Sequence, residues 1–302
     1  VFLLMGNPAV AFEPNADLTG AVARLFVYPV KSCAGIEVRE AVLTETGLEY
    51  DRAWMLVDEQ GVFLTQRALP RMALVHPRLA REQGELQLKA PGMPGIGVPL
   101  ATDAARPSLP VVVWKDSLLA RDEGDEAARW FSRFLGVTCR LVRFDPAQQR
   151  LSSMRWTGGL EVPNQFNDGF PVLLTSTASL DELNARLVTA GHPAVGMERF
   201  RPNVVIDGVH AHDEDRVDLL RIGAGADELH LQPVKPCARC PIPNVDPATA
   251  ESNPSVGDML RSYRQDRRLE GAVTFGMNAI VRQGAGRVLR VGQPIAADLR
   301  FD

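Results

Sequence analysis

Short alternating apolar segments, separated by turn residues, run through most of the chain. Residues 21–30 (AVARLFVYPV) alternate and are rich in β-formers, which predicts a strand; residues 37–46 predict another. Residues 54–66 read as a hairpin, WMLVD and VFLTQ around a turn at Glu59-Gln60-Gly61. Further strands are expected at 73–75, 86–89, 111–114, 139–144, 170–175, 203–206, 219–222, 228–232, 273–281 and 288–291. Short strands at this spacing point to a small barrel or sandwich. Helical spacing is rare. Ala127, Trp130, Phe131 and Phe134 share one face of a helix over 125–135, stopped by Gly136. Ser179 and Glu182 form a capping-box pattern for a helix through Val188, and 253–267 reads as helical. From Asp145 to about Phe170 the chain is polar, contains arginines and has no period; connections this long are often functional or mobile. The fold class expected is mixed and β-rich (α+β), divided near residues 136–150.

Composition narrows the function classes. The 302 residues are 45% hydrophobic and 23% charged, ordinary for a protein with a sizeable core. Net charge is -4 and the basic residues are scattered, which argues against a nucleic-acid partner. A local basic pocket for a small anion is compatible with that balance. No apolar run reaches the roughly 20 residues that span a bilayer, and 1–12 lack a basic leader pattern, so no membrane association and a cytoplasmic location are expected. Met5 stands as a candidate native start. Four cysteines (Cys33, Cys139, Cys237, Cys240) are too few for a disulfide scaffold; the close pair points to metal or redox chemistry.

Cys237-Ala-Arg-Cys240 follows a strand and precedes Pro241 and Pro243, which places the thiols on a loop at a strand end. Lys235 and Arg239 nearby would favour a thiolate, which suits a soft metal. A zinc site would need His210 and His212 as further ligands, and a thioredoxin-like pair would need CxxC to open a helix. Three other segments carry anion donors. Lys31 and Ser32 follow a strand in Tyr28-Pro-Val-Lys-Ser; Arg52 precedes the Trp54 strand; Arg201 and Asn203 precede another. Each alone has an ordinary alternative: an exposed turn lysine, an Asp51–Arg52 ion pair, a strand-capping arginine.

Taken in order, YPVKS (28–32), DRAWMLVD (51–58), RFRPN (199–203), CARCPIPNVDPAT (237–249) and TFGMN (274–278) resemble the MOSC family of molybdenum-cofactor proteins. The likeness spans about 21–295 and is strongest to the branch that includes the mitochondrial amidoxime-reducing component. It implies an N-terminal MOSC β-barrel-like domain over 21–140 and a MOSC β-barrel with a few peripheral helices over 141–302, without a C-terminal ferredoxin domain. It implies molybdopterin-bound molybdenum as cofactor, Cys240 as metal ligand and catalytic centre, and Cys237 as a structural neighbour. Lys31, Ser32, Arg52, Arg201, Asn203 and Arg239 are implied as cofactor contacts. Gly169 and Phe170 stand where relatives carry small hydroxyl residues, and Asn278 where some carry Tyr, so their contacts would differ. The activity implied is reduction of N-hydroxylated compounds (hydroxylamines, N-hydroxy bases, amidoximes) by oxygen-atom abstraction at molybdenum. Electrons would come from a separate protein, a ferredoxin or flavin reductase. The alternative is a cofactor or sulfur carrier without redox turnover. Asp246 is expected to start a turn before Pro247.

Overall fold

The computed structural model describes residues 16–300; Met5 lies outside them. In chain order the first strands are β1 (Leu18–Val27), β2 (Ile36–Val38), β3 (Glu40–Thr44), β4 (Gly47–Leu48) and β5 (Trp54–Val57). Next come β6 (His76–Ala80), β7 (Glu85–Lys89), β8 (Ile96–Pro99), β9 (Ser108–Val113), β10 (Asp116–Asp122), α1 (Asp125–Leu135) and β11 (Arg140–Phe144). After the long loop follow β12 (Val172–Ser176), α2 (Thr177–Thr189), β13 (Val204–Asp207), β14 (Val217–Ile222) and β15 (Leu229–Ala238). The chain closes with α3 (Ser255–Tyr263), β16 (Gln265–Asp266), β17 (Ala272–Gln283), β18 (Val288–Arg290) and β19 (Pro294–Leu299). The β-rich class expected from the pattern is the class observed.

Seven strands close a barrel in the order β12-β13-β1-β19-β14-β15-β17, with β17 returning to β12. Closure leaves the barrel no open edge. Every pairing is antiparallel except β12 with β13, which are parallel and joined through α2, the crossover that parallel strands require. β1 lies between β13 and β19, and β3 pairs with β18, so the start of the chain is built into the C-terminal barrel. The barrel core mixes Val22, Leu25 and Leu43 with Val204, Leu220, Leu231 and Ile295, all buried. A four-stranded sheet, β5-β11-β10-β9, and a three-stranded one, β6-β7-β8, make the second lobe. Its core is Trp54, Leu56, Met72, Leu86, Phe131 and Leu141. Among the described residues no helix is long and apolar enough to cross a membrane.

Four local expectations are corrected. Residues 73–75 are not a strand: they close a 3-10 turn over Pro70–Leu74, which Pro70 opens because it has no N–H to give a ladder. Of the hairpin over 54–66 only β5 is a strand; Phe63 touches Val57 in an isolated bridge while Val62 bridges Val112. α2 is capped by Ser176, whose hydroxyl accepts from Ser179 N, and not by a Ser179–Glu182 box. The helix over 253–267 is shorter, because Gln265 and Asp266 leave it to pair with Val273 and Ala272. The long loop has no strand or helix, yet it is packed. Arg150, buried, donates to the carbonyls of Gln165 (2.8 Å) and Asn167 (2.6 Å), and Asn164 donates to Ser152 Oγ (2.7 Å) and Gly169 O (2.9 Å).

Candidate functional site

β1 runs out into Tyr28-Pro29-Val30, which Trp54 catches from the second lobe: Val30 bridges Trp54, and Lys31 N donates to Trp54 O (2.8 Å). Beyond it Ser32 has φ 66°; Arg52 and Arg201, on other segments, have φ 50° and 58°. Left-handed backbone costs a non-glycine residue about 1–3 kcal/mol and collects where the surroundings over-determine it. The surroundings here do so. Arg52 N donates to Tyr28 O (2.8 Å), Phe166 N to Arg52 O (3.2 Å), and Arg201 N to Glu198 O (3.2 Å).

Two arginines share one aromatic platform. The guanidinium groups of Arg52 and Arg201 each lie 4.3 Å from the centre of the buried Tyr28 ring. Arg52 is further tied to Asp51 Oδ2 (2.6 Å) and Arg201 O (3.0 Å). Arg201 donates through Nη1 to Cys33 O, but its buried Nη2 has no partner among the described residues. Burial first, and then the charge of Arg52, push the Arg201 guanidinium down to about 10. Lys31, also buried, donates to Phe166 O (2.8 Å) and pairs with Asp168; burial still holds its ammonium below the ordinary lysine range. Arg239 donates to Cys237 Sγ (3.1 Å) and Phe200 O (2.9 Å), leaving its Nε buried and unpartnered.

Cys237 is the next-to-last residue of β15, at a register irregularity in its pairing with β17, and Cys240 lies just past the strand's end; both thiols are free and half-buried. One cleft is lined by every residue that the resemblance implies as metal ligand or cofactor contact: Lys31, Ser32, Arg52, Gly169, Phe170, Arg201, Asn203, Arg239, Cys240 and Asn278. They are not equally available. Asn203 spends its amide inside the barrel, accepting from Leu173 N (3.1 Å) and donating to Phe26 O (3.2 Å). Asn278 donates weakly to Pro236 O (3.5 Å). Asp246 lies outside the lining; it pairs with Arg199 (2.7 Å) and accepts from Ala248 N (2.8 Å), the turn role expected of it. The histidines do not join the thiols. His212 packs against Tyr263 and Phe275, and no three His, Cys, Asp or Glu among the described residues converge as a metal site.

Sequence reasoning missed Asp168, Lys31's partner, and the role of Tyr28 as the ring beneath two arginines. Tyr28 sits inside the YPVKS motif, but nothing in the pattern says its ring points at residues 52 and 201. Thr65, Arg67 and Asn167 also line the cleft, without a sequence signal of their own.

The cleft thus gathers five cationic side chains against one carboxylate, Asp168, next to an available thiol. Buried guanidinium nitrogens without partners fit a phosphate-bearing group, since charge-assisted, fork-shaped donors bind its oxygens well. A thiol at the same cleft fits a soft metal. Such a donor set beside a closed β-barrel is compatible with a phosphate-bearing, metal-linked cofactor, and the class of protein is given by the family: the chain belongs to the molybdenum-cofactor-associated MOSC family, residues 19–138 matching the MOSC N-terminal beta barrel domain and residues 161–296 the MOSC domain. Relatives of two kinds are among those it matches. It is 34% identical over 288 residues to mouse mitochondrial amidoxime-reducing component 1, covering 91% of this chain and 82% of that one. It is also 34% identical over 289 residues to human mitochondrial amidoxime reducing component 2, covering 91% and 83%. Human molybdenum cofactor sulfurase is 32% identical over 272 residues, 85% of this chain but 29% of the sulfurase.

Proposed function

We propose that this cleft holds the molybdenum cofactor and that the protein reduces N-hydroxylated compounds. The observation that carries the reading is the convergence of Lys31, Ser32, Arg52 and the unsatisfied Arg201 guanidinium beside Cys240 in one cleft. Lys31, Ser32, Arg52 and Arg201 would hold the cofactor's phosphate, and Tyr28 keeps both guanidinium groups aimed at it. Asn203 fixes the strand ends from which Arg201 projects. Gly169 would contact the cofactor through its backbone, Phe170 through its ring edge, and Arg239 and Asn278 from the β15–β17 side. Cys240 is the proposed metal ligand. Bound there, the molybdenum centre supplies two-electron abstraction of oxygen from an N–OH group. The overall change balances: an amidoxime, two electrons and two protons give an amidine and one water. A separate reductant protein, a ferredoxin or flavin reductase, supplies the electrons.

The test is to load the protein with cofactor and measure molybdenum content together with consumption of benzamidoxime under a chemical reductant. Wild type is expected to turn over, and Cys240→Ser to lose both metal and activity. Full molybdenum without turnover would overturn the reductase reading. In that case the second reading, a cofactor or sulfur carrier, would gain. The likeness to the sulfurase and the position of Cys237 on the same cleft favour it.

A further inference from the structure

Beside the cleft lies a larger groove of about 1190 Å³, which shares Asp168, Gly169 and Phe170 with it. That is room for a drug-sized organic molecule. One wall is aromatic: Trp114 is 43% exposed with φ 57°, its ring 5.1 Å from that of Phe63, and its indole N–H donates to Asp168 Oδ1 (3.2 Å). Met154, 49% exposed, adds an adaptable apolar contact.

The groove's charges do not cancel. Asp116 is taken by the buried Arg150 (2.6 Å) and Asp168 by Lys31. Lys235, which also lines the groove, has no carboxylate or carbonyl partner among the described residues. Its ammonium stands 5.9 Å from the centre of Phe170 and 5.6 Å from that of Trp156. Its backbone pairs with Asn278 in the β15–β17 ladder, next to a register irregularity, and Asn278 lines the cleft. A half-buried cation between the buried Phe170 and the half-buried Trp156, in a groove whose other wall is the exposed Trp114 and whose carboxylates Asp116 and Asp168 are already paired, is complementary to an anion attached to a flat ring.

We propose that this groove is the substrate subsite, and that it selects aromatic N-hydroxylated compounds bearing an anionic group remote from the N–OH. The inference rests on the reductive reading above: the N–OH would enter the cleft past Phe170, while the ring lies along Trp114 and the anion meets Lys235.

The experiment titrates oxidised, molybdenum-loaded protein, which cannot turn over, with 4-carboxybenzamidoxime and with benzamidoxime by calorimetry. Wild type should bind the carboxylated compound about ten-fold tighter or more, the low end of a charge-assisted hydrogen bond. Lys235→Gln should bring that ratio close to one, Lys235→Arg should restore it, and Trp114→Ala should weaken both compounds. An unchanged ratio in Lys235→Gln, or no preference in wild type, overturns the subsite. Parallel turnover assays separate the two ideas. Lys235-dependent binding without turnover leaves the groove standing as a site for aromatic anions and removes the reductase. Turnover without Lys235-dependent preference does the reverse.

Discussion

Single side chains carry burdens that a sequence pattern does not display. Glu214 is fully buried, with the hydroxyls of Ser176 (2.9 Å) and Ser179 (2.7 Å) donating to it and no cation paired with it among the described residues. Burial is the main reason its carboxyl is pushed above the usual range. The sign follows from linkage. The folded state holds the proton more tightly than the unfolded chain, so stability falls as pH rises through the unfolded value of about 4.3 and levels off above the folded one. Glu214→Gln should therefore change little at pH 4 and raise stability relative to wild type at pH 7, where the native carboxylate is costly to keep buried. Denaturant midpoints of both proteins at the two pH values check this. Cys240 and Lys31 were legible at this scale because their motifs name them. Tyr28 and Asp168 were not, because a stacking platform and an ion-pair partner are defined by neighbours far along the chain.

Among the elements, those with a strong period were read correctly. α1 spans the expected 125–135 and ends at Gly136, which has φ 74°. Its apolar stripe packs on β11, so local spacing and tertiary burial agree. The errors fell where a local signal met a stronger tertiary one. Ser179 has the right neighbour for a capping box, but Glu214 takes its hydroxyl and Glu182 pairs with Arg186. β10 (DSLLARD) escaped notice because its polar ends hide a strand that only pairing with β9 and β11 makes stable. The seam that closes the barrel offers a sharp test. Gly276, in the TFGMN motif, has φ 75°, and a Cβ there would lie 2.6 Å from Leu174 O on β12. Gly276→Ala should cost roughly 1–3 kcal/mol from backbone strain alone, with the clash in addition. Thermal unfolding of the pair measures it; an unshifted melting temperature would contradict the seam geometry.

In the whole molecule, the cleft is assembled from both lobes. Arg52, which precedes β5, reaches across to Arg201 O on the barrel side, and Trp54 holds the turn that presents Lys31. A ligand bound between Lys31, Arg52 and Arg201 therefore binds only the assembled state. Cofactor-loaded protein should unfold at higher temperature than the cofactor-free form, by a margin set by mass action, about 2.7 kcal/mol when free ligand is 100 times its Kd. Equal melting curves for the two forms would argue against a bridging site. Arg201→Lys should narrow the margin, since an ammonium cannot reproduce the fork of a guanidinium.

The sequence by itself determined the β-rich class, α1, most strands and which reactive side chains the cleft would draw on, because alternation, helical spacing and residue type are local properties written residue by residue. The tertiary structure alone decided that β1 closes a barrel with strands from the far end of the chain, and that segments near residues 31, 52, 168, 201 and 240 share one cleft. It also decided which donors remain free there: Asn203 is spent on the barrel, whereas Arg201 keeps an unmatched nitrogen. The physical reason is that barrel closure and hydrogen-bond saturation depend on long-range partners, and no local pattern specifies which distant group arrives first.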